Sequence, residues 1–589
     1  MERFLKDLND EQKDAVKANG NVLITACPGS GKTRVLTHKL AYEINLSTRP
    51  KHVFVALTYT NRAADELKKR TCNFDIEDDK LWTGTIHSFC LEWILKPYIG
   101  FCREVNDGFT IIDEYETEKL INDLKPKYGI RAFDSIKKIY RLNGEFEVNE
   151  LTHLPLIYEY KSILRDMQAI DFDDILYFAW KLIDKYSLIA SRLANIFPFI
   201  AIDEYQDTQE LQYAILAAIV KAGSNKTRVF FVGDISQAIY SSIGGVAKSG
   251  TEIKAQFKLR QLHELTLSGN YRSNQRVINY YANYQITDFT IAAKGKYANN
   301  KGFIHHDFSL HRDTIHEHIS ELIASYIGNG IPPHEICVVA PQWWMIIPMG
   351  RKLQTTLPHI DFDAFGLSPF RRVRENIWYK VLRLYLTTPG NSNYLLRYQW
   401  IRELVETLHH FMPDFLQGIE NEKRFLLRLI REHQCDDEDS KKAIIGCMKH
   451  FTSSLKIQLN NYPELNNAQL SFMKGFQDEL DNNNFQFARN INTLKRVFNN
   501  RKGVVISTCH GVKGEEYEVV IAFGLLHGYL PNWKEPDPLA AQKLLYVISS
   551  RAKNNLHLIS EQGHMTRRGD PYQISGPLAR LNYTYDKPS

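Results

Sequence analysis

The chain has 589 residues, too many for a single hydrophobic core, so about three to five domains or subdomains are expected. Hydrophobic residues make up 44% of the chain and charged residues 24%, which is the composition of a globular protein. The net charge of +5 excludes a global basic field, so any nucleic acid must be held by local patches.

Cysteine usage and the first residues bear on the cellular compartment. The eight cysteines are scattered and form no CxxC pair, so they support neither a zinc site nor an iron–sulfur cluster and indicate a reducing environment. The start, MERFLKDLNDEQKD, is charged from its second residue, unlike a signal peptide. No apolar run approaches the ~18 residues that a membrane span needs. We therefore expect a cytoplasmic protein.

Strands and helices alternate along the chain, which predicts parallel α/β sheets. Residues 21–44 (NVLITACPGSGKTRVLTHKLAYEI) predict a strand, a turn and a helix. Residues 51–70 (KHVFVALTYTNRAADELKKR) repeat this order, with Asn61 predicted to cap the helix. Further strands are predicted within 197–220, 227–233, 335–341, 503–509 and 517–524.

Two helix-rich stretches separate the predicted strands, and we interpret them as insertions into two α/β cores. Asn-rich and acidic segments in the second stretch are typical of solvated loops. The predicted domains are a first core formed by residues 1–87 and 196–270, a helical insertion of 88–195, a second core formed by 271–385 and 499–589, and a short helical insertion of 386–498.

The stretch ACPGSGKT follows an apolar strand and opens a helix, which is the context of a P-loop. Gly29 and Gly31 allow backbone N–H groups to face phosphates, and the helix N-terminus adds a favourable dipole. Lys32 would reach the β- and γ-phosphates, and Thr33 would bind Mg²⁺. The strict pattern begins with Gly, and a Gly-rich turn that carries GKT by chance is the alternative. The other loop residues predicted to surround the phosphates are Ala26, Cys27, Pro28 and Ser30.

A carboxylate pair, Asp203 and Glu204, ends the apolar run of residues 199–202. Two acids at a strand tip are costly to desolvate unless a positive group lies beside them. With a P-loop nearby, that group is a metal-bound nucleotide. Asp203 would hold Mg²⁺, directly or through water, and Glu204 would orient and deprotonate the attacking water. Without the P-loop, the pair would equally suit a strand-end turn.

Nine motifs occur in order along the chain: LNDEQKDAV (8–16), ACPGSGKT (26–33), TYTNRAADEL (58–67), TGTIHSF (83–89), IDEYQDT (202–208), VGDISQAIYS (232–241), NYRSNQRVI (270–278), STCHGVKGEEYEVV (507–520) and LYVISSRAK (545–553). This series resembles the UvrD/Rep family of superfamily 1 DNA helicases. The resemblance implies two RecA-like P-loop cores, each with a mainly helical inserted subdomain. It also implies ATP and Mg²⁺ in the cleft between the cores, and single-stranded DNA across the top of both.

The resemblance also implies which residues hold the nucleoside of ATP. Gln12 matches the position that reads the adenine edge, and Glu516 matches one that contacts the ribose. Arg34 and Tyr271 match the positions that sandwich the base, and a planar cation facing an aromatic ring suits a purine between them. Outside the motif series, Tyr271 would equally suit a core position.

Three residues match family positions that act on the γ-phosphate. Gln237 corresponds to the γ-phosphate sensor. Arg272 and Arg551 match two arginines that the second core supplies, and these act as arginine fingers only when the cleft closes on ATP. Outside the motif series, Arg551 would be interpreted as an ordinary exposed arginine of a helix.

Contacts to DNA are implied by the same motifs, through phosphates and through stacking that every base permits. Tyr59 matches a base pocket, Asn61 a backbone contact and Tyr240 a stacking position. Thr85, His87 and His510 lie in motifs that line the strand, although a hydrogen-bonded loop histidine explains the two histidines equally well. The pair Trp343–Trp344 offers either stacking faces or core side chains.

The chain departs from the family pattern at two places. After Tyr240 and Ser241 the family has an aromatic residue and an arginine, where this chain has Ser242 and Ile243. Lys543 keeps one charge where the family has two arginines, without their bidentate geometry. Stacking is worth ~1–3 kcal/mol per base, so we expect a weaker grip on a single strand.

The sequence supports one main hypothesis for function and leaves others open. The main hypothesis is an ATP-dependent DNA helicase and translocase that moves 3′ to 5′. The second is a DNA-sensing ATPase subunit that regulates a partner nuclease in anti-phage defence, with little unwinding of its own. A small-molecule P-loop kinase would lack the second-core arginines. An RNA substrate is compatible with stacking and phosphate contacts.

Overall fold

The computed structural model describes residues 2–587 except 72–73, 75, 77–78, 133, 225, 364–369, 371–372, 374–375, 391–393, 413–420, 434–436, 482–485, 496–497, 499–501, 534, 536 and 567. Cys72, Cys435 and the side chain of Asn61 lie outside this description. The six other cysteines are buried, and none of them forms a disulfide bond within the described residues. None of the described helices is both long and apolar enough to span a bilayer.

The structure contains eighteen strands within the described residues. In chain order they are β1 Val22–Ala26, β2 Phe54–Thr58, β3 Leu81–Thr85, β4 Thr110–Ile111, β5 Ile139–Tyr140, β6 Phe146–Glu147, β7 Ala169–Ile170, β8 Phe199–Asp203, β9 Arg228–Gly233, β10 His263–Leu267, β11 Gly269–Asn270, β12 Ala292–Ala293, β13 Phe303–Asp307, β14 Ile336–Ala340, β15 Phe362–Asp363, β16 Val504–Thr508, β17 Tyr517–Ala522 and β18 Ala552–Ile559.

The α-helices within the described residues are α1 Asp10–Lys17, α2 Lys32–Leu46, α3 Asn61–Thr71, α4 Ile86–Phe89, α5 Glu114–Leu124, α6 Leu154–Asp166, α7 Phe172–Lys185, α8 Ser187–Ile196, α9 Glu210–Ala222, α10 Gly250–Gln256, α11 Gln275–Ala282, α12 Ile315–Gly328, α13 Trp343–Thr356, α14 Ile377–Tyr385, α15 Tyr394–Phe411, α16 Glu422–Arg431, α17 Ser440–Ser454, α18 Pro463–Asp481, α19 Ile491–Lys495, α20 Ala540–Ser549 and α21 Gly576–Arg580.

Two six-stranded parallel sheets form the two cores. The strand order is β10-β1-β9-β8-β2-β3 in the first sheet and β13-β18-β17-β14-β16-β15 in the second. Every strand pair within these two sheets is parallel. Parallel neighbours require crossover connections, which place helices over the sheet faces. The predicted fold class, two RecA-like α/β cores with helical insertions, is confirmed.

Burial of the first sheet on both faces explains its continuous apolar strands. Neighbouring residues of one strand belong to different hydrophobic clusters: Phe231 and Ile200 lie in one, and Phe230 and Phe199 lie in the other. Alternation along a strand sends successive side chains to opposite faces, so helices must cover both. The carboxyl ends of parallel strands lie at one edge of the sheet, and polar residues follow the strands at that edge.

The predicted domain boundaries stay a prediction, but the packing of two helix groups differs from them. Helices α7 and α8, predicted within the first insertion, pack against α9 in a hydrophobic cluster of the first core. Helix α14, predicted within the second core, packs against α15, α17 and α18 of the second insertion. Two short pairings, β4 with β7 and β5 with β6, add strands to the otherwise helical first insertion.

The N-terminus of α3 corrects one prediction. The helix begins at Asn61, so this residue lies inside it and does not cap it. The preceding Thr60 takes the capping position, because its Oγ1 accepts a hydrogen bond of 3.2 Å from the backbone N–H of Ala63. Thr and Asn both suit an N-cap, and the sequence TNRA offers them side by side, so the pattern alone does not choose between them.

A buried ion cluster joins α2 to the first sheet. Lys39 and Glu43 are fully buried one helical turn apart, with Lys39 Nζ 2.8 Å from Glu43 Oε1. Lys39 also donates to the carbonyls of Val16, at 3.1 Å, and Ala18, at 2.6 Å. Arg228 of β9 donates two hydrogen bonds, of 3.0 and 2.5 Å, to the Glu43 carboxylate. The two carboxylate oxygens therefore compensate both cations.

We expect Glu43→Leu to lower the free energy of unfolding by about 3–5 kcal/mol, because Lys39 would stay buried without an opposite charge. The double variant Lys39→Met/Glu43→Leu should recover most of this loss, since it removes the buried charge as well. The shift of the urea unfolding midpoint measures both effects. Equal stability of the single and double variants would show that Lys39 is compensated by other groups.

Candidate nucleotide and nucleic-acid site

The P-loop lies between β1 and α2 and depends on two glycines in the left-handed region. Gly29 has φ of 69° and Gly31 has φ of 82°. A Cβ on Gly29 would come within 2.6 Å of the Arg272 Cβ, so only glycine fits under the segment that follows β11. A Cβ on Gly31 would lie 3.0 Å from the Gln12 side-chain nitrogen. The loop is thereby packed tightly against both flanking segments.

Backbone carbonyls of the P-loop are held by the segment after β10. The Tyr271 N–H donates to the Gly29 carbonyl at 2.8 Å, and Asn270 Nδ2 donates to the Pro28 carbonyl at 2.6 Å. The Ser30 hydroxyl is buried and has no hydrogen-bond partner within the described residues. These loop carbonyls are thus already hydrogen-bonded within the protein. The unpaired Ser30 hydroxyl and the N-terminus of α2 remain to bind the phosphates of a nucleotide.

Lys32, the first residue of α2, forms an ion pair with Glu204 at 2.9 Å. Burial opposes the charge of Lys32, but Glu204, Asp234 and Asp203 raise its pKa above the ordinary value. Burial opposes the charge of Glu204 as well, and Lys32 and Lys513 nevertheless lower its pKa. Burial and the neighbouring Glu204 charge raise the pKa of Asp203. Lys32 thus faces three acids, and Lys513 also acts on Glu204 and Asp203.

Glu204 has a strained backbone, with φ of 50° in the left-handed region. Its N–H donates to Asp203 Oδ1 at 3.0 Å, and its Oε2 accepts from Gln206 Nε2 at 2.5 Å. A non-glycine residue in this region costs of order 1 kcal/mol or more and persists where the surroundings require it. The turn therefore sets the direction of the Glu204 carboxylate toward Lys32.

A hydrogen-bonded relay leads from Glu204 to the end of β9. Gln206 is almost fully buried, and its Oε1 accepts from the backbone N–H of Asp234 at 3.0 Å. Asp234 Oδ2 in turn accepts from Gln237 Nε2 at 2.8 Å. The Gln206 side-chain amide thus uses its nitrogen at the end of β8 and its oxygen at the end of β9. Movement at Gln237 is thereby tied to the position of Glu204.

The second core contacts Gln237 through two cations. Arg551 Nη2 donates to Gln237 Oε1 at 2.9 Å, and Lys513 Nζ donates to the Gln237 carbonyl at 2.6 Å. Lys513 also pairs with Asp207 Oδ2 at 2.5 Å. Arg551 is buried, and burial together with the nearby Arg272 lowers its pKa. Gln237, the predicted sensor, is therefore hydrogen-bonded to residues of both cores.

Arg272 is held at a short distance from the P-loop by the second core. Its Nε donates to Glu516 Oε2 at 2.8 Å and its Nη1 to the Ser550 carbonyl at 2.9 Å. Burial opposes the charge of Glu516, but Arg272 beside it lowers the Glu516 pKa. Arg272 and Glu516, both predicted from the motif series, thus contact each other directly.

The residues predicted for the base lie around α1 and the P-loop. Gln12 is buried, donates to the Ser30 carbonyl at 2.9 Å and accepts from the Asn9 N–H at 3.1 Å. The Tyr271 side chain is 41% exposed, and its hydroxyl accepts from Asn9 Nδ2 at 2.6 Å. Arg34 is exposed on the first turn of α2. An open ring and an open guanidinium therefore flank the loop, and Gln12 closes the capping box of α1.

The residues predicted to bind Mg²⁺ supply the donor types that this ion prefers. Thr33 offers a hydroxyl in the first turn of α2, and Asp203 offers a carboxylate at the end of β8. Oxygen donors combined with substrate phosphates are the usual Mg²⁺ environment, so the residues fit the ion. Burial and the neighbouring Glu204 carboxylate raise the pKa of Asp203 although Lys32 and Lys513 act against this, so a further cation would favour its charged form.

An aromatic stack spans the two cores beside the nucleotide site. The rings of Tyr59 and Tyr240 are stacked, with centroids 4.7 Å apart and an interplanar angle of 20°. The His510 ring lies 5.7 Å from that of Tyr240, and the Tyr240 hydroxyl donates to the His510 carbonyl at 3.3 Å. Lys513 Nζ lies 5.1 Å from the Tyr240 ring centroid. Lys513 therefore contacts both the aromatic stack and Gln237.

A groove of about 1080 Å³ runs from the carboxylates to the first insertion. Tyr59, Thr85 and His87 line it, together with Asp203 and Glu204. Thr85 caps α4 by accepting from the Ser88 N–H, so its side chain has a structural contact as well. The groove connects the predicted DNA-contact residues of the first core to its catalytic edge.

The groove also shows what replaces the missing aromatic and arginine. Ser242 and Ile243 line the groove, and Ile243 is 49% exposed. Ser241 donates to Glu535 Oε1 of the second core at 2.8 Å. No aromatic residue occupies position 242 or 243, and the Ser241 hydroxyl makes the contact to the second core.

Burial lowers the pKa of His87, which also lines the groove. Its ring lies 5.7 Å from that of Phe172, at an interplanar angle of 83°.

Four residues of this site were not singled out from the sequence. Gln206 and Asp207 lie within IDEYQDT, Asp234 within VGDISQ, and Lys513 within HGVKG. Their signal was their place inside motifs that were already recognised. Their roles depend on which side chains meet across the cores, which the motif order does not specify.

Two family models match the chain. The UvrD/REP helicase N-terminal domain matches residues 8–258, and the UvrD-like helicase C-terminal domain matches residues 393–563. Together they contain the P-loop, the acid pair, Gln237, Lys513 and Arg551.

Curated relatives agree with this match. The chain is similar to "ATP-dependent DNA helicase PcrA" of Staphylococcus epidermidis RP62A, at 29% identity over 47% of this chain and 40% of that protein. It is also similar to the protein of the same name from Staphylococcus aureus Mu50, at 24% identity over 96% of this chain and 84% of that protein. The first alignment thus spans less than half of its relative and the second spans most of it. The chain belongs to the UvrD/REP helicase family.

Proposed function

We propose that the protein is an ATP-dependent DNA helicase and translocase that couples ATP hydrolysis to 3′ to 5′ movement on single-stranded DNA and to duplex unwinding. Family membership supports ATP and DNA as substrates. The observation that carries the proposal is the contact path from the P-loop to the aromatic stack. Lys32, Glu204, Gln206, Asp234 and Gln237 are connected in turn, and Tyr240 follows Gln237 by three residues.

Nucleotide binding acts on this path by competing for Lys32. The ATP phosphates attract Lys32 away from Glu204, which frees the Glu204 carboxylate to orient and deprotonate water. The P-loop N–H groups and Ser30 bind the phosphates, with Ala26, Cys27 and Pro28 completing the loop. When bound, Mg²⁺ supplies charge neutralisation to the phosphates, and Thr33 and Asp203 would hold it.

The second core completes the nucleotide site. Arg272 and Arg551 stabilise the charge that develops on the γ-phosphate as the cleft closes. Gln237 senses that charge, because its amide already bridges Asp234 and Arg551. Glu516 holds Arg272 and contacts the ribose. Closure thereby couples the state of the nucleotide to the separation of the cores.

The nucleoside and the DNA occupy opposite ends of this path. Gln12 reads the adenine edge, and Arg34 and Tyr271 hold the base from two sides. Tyr240 and Tyr59 stack with bases, and sequence preference is slight because every base has a stacking face. The other proposed contacts to the strand are Asn61, Thr85, His87 and His510.

One observation favours a second candidate function, a DNA-sensing ATPase that regulates a partner nuclease in anti-phage defence with little unwinding of its own. Ser242 and the exposed Ile243 stand at the groove where the family has a ring and an arginine. Loss of a stacking ring weakens the grip on DNA by ~1–3 kcal/mol per base. That loss reduces unwinding more than ATP hydrolysis, because the nucleotide contacts are unaffected.

Unwinding from a 3′ tail is the first expected result. ATP hydrolysis by the purified protein should rise strongly with single-stranded DNA, and tailed duplexes should be separated from a 3′ tail and not from a 5′ tail. Hydrolysis is measured without nucleic acid and with single-stranded DNA, duplex DNA and single-stranded RNA. Lys32→Ala is the matched inactive variant. DNA-stimulated hydrolysis without strand separation would favour the regulatory ATPase, and preference for RNA would contradict a DNA substrate.

We expect Glu204→Gln to slow ATP turnover by roughly 10²–10⁴-fold while ATP still binds, because the amide cannot accept a proton from water. Turnover is measured by phosphate release, and affinity by competition with a fluorescent nucleotide. Glu210→Gln, a substitution at an exposed position of α9, is the control and should leave both unchanged. Rapid hydrolysis by Glu204→Gln would show that another group activates water.

We expect Arg551→Lys to reduce kcat by about 10³-fold or more with little change in ATP affinity, since lysine cannot keep the contacts to Gln237 and the Val547 carbonyl together. Arg580→Ala, at an exposed arginine of α21, is the control. Thermal unfolding of both variants separates a catalytic loss from loss of the fold. An unchanged kcat would remove Arg551 from the nucleotide site.

A further inference from the structure

Gln206 is a buried glutamine, 1% exposed, that lies against the end of β9. The short 3₁₀ helix Tyr205–Asp207 sets its position, and within it the Asp207 N–H donates to the Glu204 carbonyl at 3.0 Å. An added Cβ on Gly233 would come 2.1 Å from Gln206 Oε1, so a larger residue at the end of β9 would displace the amide. The Gln206 amide is therefore enclosed on the side of β9.

The amide nitrogen of Gln206 lies between two carboxylates. It donates to Glu204 Oε2 at 2.5 Å and to Asp207 Oδ2 at 3.4 Å. The longer of these two distances is beyond the usual range of a hydrogen bond, so the bond to Asp207 is the weak one. The amide oxygen is anchored by the Asp234 N–H at 3.0 Å. The nitrogen can therefore turn between the two carboxylates about a fixed oxygen.

Lys513 of the second core explains why Asp207 is the weaker acceptor. Lys513 Nζ lies 2.5 Å from Asp207 Oδ2, the same oxygen that accepts from Gln206. Asp207 is buried, and its Oδ1 has no hydrogen-bond partner within the described residues. A buried carboxylate that loses its cation is strongly destabilised unless another donor replaces it. If Lys513 moves away, Asp207 therefore draws the Gln206 amide away from Glu204.

The bond from Gln206 restrains the group that would activate water. Glu204 is held through both carboxylate oxygens, with Lys32 Nζ 2.9 Å from Oε1 and the Gln206 nitrogen 2.5 Å from Oε2. Transfer of Lys32 to the ATP phosphates frees one oxygen and leaves the other bound to Gln206. The carboxylate can turn toward a water molecule only when this second bond is released as well.

The predicted DNA contact at Tyr240 reaches Gln206 through Lys513. Lys513 Nζ lies 5.1 Å from the centroid of the Tyr240 ring. A DNA phosphate near this ring competes with Asp207 for Lys513, because both are anions. Lys513 thus connects the predicted stacking residue to the carboxylate that competes with Glu204 for the amide.

We propose that Gln206 is a positioning residue that restrains Glu204 until DNA binds, and that it thereby makes ATP hydrolysis depend on DNA. This inference rests on the proposed function and names the regulation of its nucleotide site. The amide has two alternative partners. It binds Glu204 while Lys513 pairs with Asp207, and it binds Asp207 once Lys513 is drawn to DNA. A hydrogen-bond network with two discrete arrangements is a physical means of coupling two sites.

Release of the restraint is tested with Gln206→Met, which keeps the length of the side chain and removes its hydrogen bonds. We expect kcat without DNA to rise about 10- to 100-fold, the worth of one hydrogen bond to a charged group, with little change in the KM for ATP. With saturating oligothymidylate, kcat should equal that of the unaltered protein, so stimulation by DNA falls by the same factor. Phosphate release measures both rates.

A second variant separates the two bonds of the amide. Gln206→Glu keeps an acceptor for the Asp234 N–H and loses the donor to Glu204, so it should also raise the rate without DNA. Gln261→Met, at an exposed glutamine outside the site, is the matched control and should leave both rates unchanged. Thermal unfolding of each variant checks the fold.

The opposite effect is expected for Asp207→Asn, because a neutral side chain attracts the Gln206 amide less than a carboxylate does. Its rate without DNA should stay at the unaltered level, and its kcat with oligothymidylate should fall about 10-fold or more. A general loss of stability would lower the rates of Gln206→Met and Asp207→Asn alike. Opposite signs at these two positions therefore distinguish a positioning role from a structural one.

The rates without DNA decide the inference separately from the proposed function. If Gln206→Met and Gln206→Glu unfold like the unaltered protein but hydrolyse ATP no faster without DNA, Gln206 does not restrain Glu204. The proposed function would then stand, provided that oligothymidylate still stimulates the unaltered protein. An unaltered protein that DNA does not stimulate would overturn both, because nothing would then release Glu204.

Discussion

The arrangement of the site depends on Gln237, whose amide is held from both cores. Asp234 accepts from its nitrogen at 2.8 Å and Arg551 donates to its oxygen at 2.9 Å. A buried amide that has both groups satisfied is favourable, and loss of either partner is costly. The cores are therefore connected at the residue that lies between the P-loop acids and the aromatic stack. The contacts of Lys513 with Asp207 and of Tyr240 with His510 join the same two cores beside it.

The cations of the nucleotide site are paired with protein carboxylates in this structure. Lys32 pairs with Glu204 and Arg272 pairs with Glu516, at 2.9 and 2.8 Å. Lys32 and Arg272 are mostly buried, so these carboxylates offset part of the cost of holding their charges before a nucleotide binds. A triphosphate offers the same cations a stronger partner. Exchange of partners is a physical basis for coupling binding to closure.

The side chains predicted to contact DNA include a pair of rings near the boundary of the two cores. Tyr59 and Tyr240 stack on each other, and Ser242 and Ile243 stand where the family has an aromatic residue and an arginine.

The sequence by itself determined the two parallel sheets, the P-loop, the acid pair and the family, because alternating apolar strands and fixed short motifs are local patterns. It did not determine that Thr60 caps α3 in place of Asn61, nor that α7 and α8 pack with the first core. It also did not identify Gln206 and Lys513 as links between the strands and the cores. The cap is a choice between two adjacent residues, whereas the other features depend on side chains that are far apart in the sequence, such as Lys513 and Gln237. Only the tertiary structure decides those contacts, since packing selects among partners that the local pattern leaves equivalent.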